Sequence, residues 1–239
     1  NLPLVKEAKI GQAIMDADIV ISLSHFKGNE EAGFGGALKN LGMGSGSRSG
    51  KMEQHWEGKP VVDPALCVGC GACSRICAHG GPVLENGKAH IDHEKCVGCG
   101  RCLAICPRDA IEPSVANSTS ILSCKIAEYA YAVVKDRPSF HISLICDVSP
   151  FCDCHAENDI PIIPDIGMLA SFDPVALDQA CVDLCNKMPV CEGSRLDRHI
   201  QAFGKEDPNH EYFHMNHPDA AWEPGLIHAE EIGLGTRQY

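Results

Sequence analysis

Hydrophobic and polar positions along this chain fall into short blocks whose period switches between helix-like and strand-like. Residues 4–16 place Leu4, Val5, Ala8, Ala13 and Ile14 with helical recurrence around Gly11, which predicts a first helix. Residues 19–24 form a compact apolar run between polar flanks and predict a buried strand, parallel to its neighbours. A glycine-rich stretch, 33–36, then leads toward Lys39. Strand, glycine loop and helix start is the layout that aims backbone N–H groups at an anion. Residues 43–58 read by composition as a linker, either a solvated loop or an active-site loop carrying Arg48, Lys51 and His55. Asn86-Gly87 between strand-like flanks predicts a hairpin. The clearest helix is 117–136, with Ile121, Leu122, Ile126, Tyr129, Ala130 and Val133 as its apolar stripe. A second buried strand follows at 140–147 and a third within 160–172, which Pro164 interrupts. Asp173-Pro174 opens another helix with an N-cap and a proline at the first helical position. Beyond Pro189 the chain reads as polar and irregular until a last helix over 225–232, ended by Gly233.

Into this alternation is set a stretch of a different kind. Cys67, Cys70, Cys73 and Cys77 have the spacing C-x2-C-x2-C-x3-C, and Cys96, Cys99, Cys102 and Cys106 repeat it, with Pro107 following. A structural zinc site needs only one CxxC pair per half, and a disulfide framework does not explain two matched runs. The pattern resembles bacterial-type two-cluster ferredoxins. In that pattern the first three cysteines of a run hold one cluster and the fourth crosses to the other. It assigns Cys67, Cys70, Cys73 and Cys106 to one [4Fe-4S] cluster, and Cys96, Cys99, Cys102 and Cys77 to a second. Ala78, not proline, follows Cys77, so the edge of that second cluster is expected to be shaped differently.

The expected fold class is therefore α/β: a mainly parallel-sheet host domain over 1–58 and 116–239, with an inserted α+β ferredoxin-like 2[4Fe-4S] module over 59–115. Composition narrows the function classes. Aromatic residues are scarce at 5%, and no apolar run approaches the roughly 20 residues of a membrane span. Fifteen cysteines, eight of them in two ligand-type runs, point to metal chemistry in a reducing, oxygen-poor cytoplasm. The net charge of −12 lies in residues 147–239, with 17 acidic and 5 basic side chains. That excludes a basic nucleic-acid footprint, and it leaves either a solvated acidic surface or a docking face for a basic redox partner.

Outside the cysteine runs, the residues His25-Phe-Lys27-Gly28, Gly33 through Gly44, Cys152-Asp-Cys154-His155, Pro164-Asp165-Ile-Gly167 and Asp173 through Ala180 resemble an uncharacterised iron–sulfur-centre protein family, in which a ferredoxin module lies inside a host of unknown function. The resemblance covers nearly the whole chain. It implies further N-terminal α/β elements, supplied by a separate chain or lost here, and a cysteine where Ser45 stands.

Two functions follow. The first is an iron–sulfur electron-transfer protein passing low-potential electrons to or from a redox partner protein or a host-domain site. The second is a redox enzyme whose site lies at the strand ends. For the enzyme, the candidate catalytic residues are Lys27, Lys39, Asp147 and Asp165. Lys27, Lys39 and the glycine loop would take a small anionic ligand, and Cys152, Cys154 and His155 are candidate ligands of a third metal. Cys181 and Cys185 share a helix face and read as core.

Overall fold

The computed structural model describes residues 2–57, 59–113, 115–156, 158–204 and 211–239. The chain divides into two compact units: Asn1–Ser45 together with Ser118–Tyr239, and Gly46–Asn117.

The first unit opens on an irregular segment and a single helical turn, α1 (Gln12–Met15). The longer helix expected over 4–16 does not form. Gly11 stands at the N-cap of α1, and the N–H groups of Leu4 and Val5 are instead taken by the buried Glu128 carboxylate, at 2.6 Å from Val5. Strand β1 (Val20–His25) follows, then the hairpin β2 (Lys27–Asn29) and β3 (Gly33–Gly35). Its tip is turned by the Asn29 side chain, which accepts from the N–H groups of Glu31 and Ala32. Helix α2 (Ala37–Lys39) runs on as a π-helical turn, Asn40–Gly44.

The second unit begins with α3 (Arg48–His55), where composition suggested a linker. Ser47 caps it by accepting from Gly50 N–H, and Gln54 is fully buried. Gly58, at the end of that stretch, lies outside the described residues. Then come β4 (Trp56–Glu57), β5 (Val61–Val62), α4 (Ala72–Ile76), β6 (Pro82–Glu85), β7 (Lys88–Ile91), α5 (Arg101–Ile105), β8 (Ile111–Glu112) and β9 (Val115–Ala116). These strands pair antiparallel as β4–β9, β5–β8 and β6–β7. Asn86 and Gly87 join β6 to β7 with φ of 51° and 74°, the two left-handed residues of the expected two-residue hairpin.

The chain returns to the first unit with α6 (Thr119–Val134), capped by Ser118 and buried nearly all round rather than along one stripe. Next are β10 (Ser139–Ile145), β11 (Gly167–Ser171) and α7 (Pro174–Cys185), capped by Asp173. The segment expected to be irregular instead holds α8 (Arg195–Phe203), capped by Ser194, and α9 (Tyr212–Asn216). Residues 205–210 lie outside the described residues. Helix α10 (Glu223–Glu231) closes the fold.

The sheet of this unit has the order β1–β10–β11 and is mixed, with one parallel pair and one antiparallel pair. The expectation of a mainly parallel sheet is therefore corrected. The expectation of buried strands is corrected too. Ser22, Ser24, His141 and Ser143 point inward, whereas Ile21 and Leu23 are 69% and 61% exposed. Residues Phe140, Ile142, Leu144 and Met168 extend that outward row by their alternation. Among the described residues no helix packs on it. The core lies on the other side, where α6, α7 and α10 meet an aromatic cluster of Phe26, Phe34, Phe213 and Trp222. Among the described residues no helix is long and apolar enough to cross a membrane.

Candidate functional site

In the second unit the two cysteine runs adopt one local geometry twice. Gly69 and Gly71 have φ of 68° and 72°, and Gly98 and Gly100 have φ of 69° and 69°. These left-handed turns curl each run so that its first three cysteines line one cavity. Gly71 and Gly100 then cap the five-residue helices α4 and α5, which carry the buried Cys73 and Cys102 and end at Cys77 and Cys106.

The ends cross. One cavity is lined by Cys67, Cys70, Cys73 and Cys106, with Ala89, Ala110 and Ile111 as apolar walls. The other is lined by Cys96, Cys99, Cys102 and Cys77, with Pro60, Pro82 and Ile91. Backbone N–H groups point at sulfur in both: Ala89 to Cys67 at 3.4 Å, Ala110 to Cys106 at 3.3 Å, Gly98 to Cys96 at 3.4 Å and His79 to Cys77 at 3.4 Å. The N–H groups of Ala89 and Gly69 hold the Cys67 thiol below its ordinary value. Burial, with the neighbouring Cys96, pushes Cys102 up to about 11. Four converging sulfurs with N–H support form a donor set for soft metal or iron–sulfur chemistry.

A second constellation occupies the first unit. Lys39 Nζ lies 3.8 Å from Cys152 Sγ. Burial opposes the Cys152 thiolate, but the Lys39 charge and a hydrogen bond from Cys154 outweigh it, so the Cys152 thiol falls below its ordinary value. Cys154 moves the other way, to about 11, through burial and its donation to Cys152. Asp153 accepts from Lys27 Nζ at 3.2 Å and contacts His25 Nδ1 at 2.9 Å, while His25 Nε2 donates to the Cys146 carbonyl. These partners hold the Asp153 carboxyl below its usual range although burial raises it. The Sγ of Cys154 and the imidazole of His155 converge on Glu30 at the β2–β3 tip, with ligand atoms all within 4.8 Å of one another. His155 Nε2 bonds directly to the Glu30 carboxylate.

The structure therefore gathers Lys27, Lys39, Cys152, Cys154 and His155, while placing Asp147 and Asp165 in a separate arrangement. Asp165 Oδ1 accepts the Asp147 N–H at 2.7 Å, closing the turn after β10 where Asp147 has φ 49°. The helix start after the glycine loop has an internal partner as well. Buried Asp178 accepts from Ala37 N–H at 2.7 Å and Leu38 N–H at 2.9 Å. Cys181 and Cys185 are buried in the core, and burial pushes the latter up to about 12. Glu30, which no motif announces, was not anticipated. Its only local signal is the Asn29 turn, since its partners lie more than a hundred residues on.

No curated protein matches the chain. The model of a domain of unknown function, DUF362, matches residues 2–183, well over half the chain. With its cysteine cavities and thiol–lysine cluster both touching that span, the chain belongs to the uncharacterised DUF362 family.

Proposed function

We propose that the second unit is a bacterial-ferredoxin-like module holding two [4Fe-4S] clusters, and that the protein transfers electrons to or from a redox partner in a reducing cytoplasm. The observation that carries this reading is the exchange of fourth cysteines, Cys106 into the cavity of Cys67, Cys70 and Cys73, and Cys77 into that of Cys96, Cys99 and Cys102. A zinc site has no use for that exchange, whereas it is the arrangement of two-cluster ferredoxins.

The cofactor would supply reversible one-electron chemistry at each cavity. The chain's own residues fix the rest. Ala89, Ala110, Gly98 and His79 offer N–H groups that stabilise negative charge on sulfur. Ala110 and Ile111 are buried and keep water from the first cavity, while Cys70 is exposed and leaves an edge that a partner can reach.

The test is electron counting. Anaerobic protein reduced with dithionite and freed of excess reductant should return about two electrons per chain to ferricyanide. Return of none would contradict the proposal.

A second reading, a redox enzyme fed by that module, rests on the Lys39–Cys152 contact, since an electron carrier alone does not require a lysine-stabilised thiolate.

A further inference from the structure

Hydrogen bonding around the Lys39 cluster in the first unit leaves one buried carboxylate oxygen without a donor. Lys39 is committed to Cys152, and Lys27 and His25 to Asp153. That leaves the Glu30 carboxylate and the Cys154 thiol facing His155. The second carboxylate oxygen of Glu30, Oε2, is buried with no hydrogen-bond partner. A buried carboxylate oxygen without a donor is costly unless something else satisfies it.

We propose that Glu30, Cys154 and His155 form a mononuclear site for a divalent, borderline-soft cation of the zinc class, separate from the cysteine cavities. Carboxylate and thiolate supply two negative charges, and a neutral imidazole adds none, so a divalent ion neutralises the set. Ligands on a tetrahedral zinc ion sit roughly 3.5 Å apart at ordinary bond lengths. Atoms already within 4.8 Å need only a small contraction to reach that. Binding exchanges the His155–Glu30 hydrogen bond for two metal bonds: the Nε2 proton of that bond and the thiol proton of Cys154 are given up to solvent, and the ligating neutral imidazole carries its one proton on Nδ1. Cys152 stays with Lys39, so the ion has three protein ligands and an open fourth position. Three protein ligands and an open position are typical of catalytic rather than structural zinc.

The site goes beyond the electron-transfer reading and stands or falls separately from it. The test uses the full chain with its iron centres loaded, washed with a mild chelator and dialysed against zinc, with iron and zinc measured in the same sample. About one zinc per chain is expected. Cys154→Ser and His155→Gln should each weaken zinc binding by more than the roughly 10–100-fold that losing an outer-shell partner costs. Lys39→Met should leave zinc stoichiometry unchanged. Zinc-edge X-ray absorption should show one sulfur among nitrogen and oxygen ligands. If Cys154→Ser does not fold, Glu30→Gln and the absorption spectrum of the wild type decide. No bound zinc, zinc held equally by the variants, or zinc surrounded by four sulfurs would each overturn the proposal, the last because it places the ion in a cysteine cavity. Iron content reports on the cluster reading alone, so failure of either is seen separately.

Discussion

Cys106 lines the cavity of Cys67 and not that of Cys96, the cysteine that begins its own run. The two halves of the second unit are therefore interlocked, each completing the donor set of the other. Substituting Cys106→Ser should damage the centre held by Cys67, Cys70 and Cys73 and spare the one beside Cys96. EPR of the reduced variant should retain one cubane signal and lose the coupling between two. Loss of the centre formed by Cys96, Cys99 and Cys102 instead would contradict the exchange.

Lys39 Nζ lies 3.8 Å from Cys152 Sγ and favours its thiolate against the opposing effect of burial. In protein free of added metal, iodoacetamide should modify Cys152 before Cys154, because the first thiol lies below its ordinary value and the second is pushed up to about 11. Lys39→Met should slow Cys152 alkylation roughly tenfold at neutral pH. An unchanged rate, followed by peptide mass spectrometry, would show that the lysine does not support the thiolate.

Asp178 reverses the usual pH dependence of a carboxylate. Burial raises it from 3.8 to about 7 in the folded protein, against the opposing hydrogen bonds from Leu38 and Ala37. The native state then holds a proton that the unfolded state has released, so this residue's contribution to stability declines as pH rises from 3.8 to about 7. Urea unfolding of Asp178→Asn should lack that decline, and the same slope in both proteins would contradict it. Asp178→Ala should cost about 1–3 kcal/mol by leaving buried N–H groups without an acceptor.

Glu128 ties the N-terminal segment to α6 and α10. It accepts from Leu4 and Val5 N–H and from His228 Nε2 at 2.8 Å while fully buried. Glu128→Ala should cost about 3 kcal/mol. Hydrogen exchange at the Val5 amide should accelerate well before the amides of α6 do. Uniform acceleration would mean that the segment and the helix open together.

The parts of this architecture legible in the sequence are those whose signals are local. Asp173-Pro174 marks the start of α7 because cap and first turn are adjacent. Asn86-Gly87 marks its hairpin because only such residues take both left-handed positions cheaply. The cysteine spacing indicated the two cavities because each run builds most of its own cavity. The rest depends on distant partners. Asp178 reaches Ala37 across 141 residues of chain, and Glu30 reaches His155 across 125. The sheet misled for another reason. Serines and His141 face its interior while Ile21 and Leu23 face out, so apolar runs in β1 and β10 looked like strands covered on both sides.

The most direct measurement is iron and acid-labile sulfide on anaerobically purified protein, with EPR after dithionite reduction. Two interlocked cavities predict about eight irons and about eight sulfides per chain, and two reduced cubanes that interact magnetically. About four irons in fully loaded protein, or zinc with four sulfur ligands in place of iron, would contradict the account.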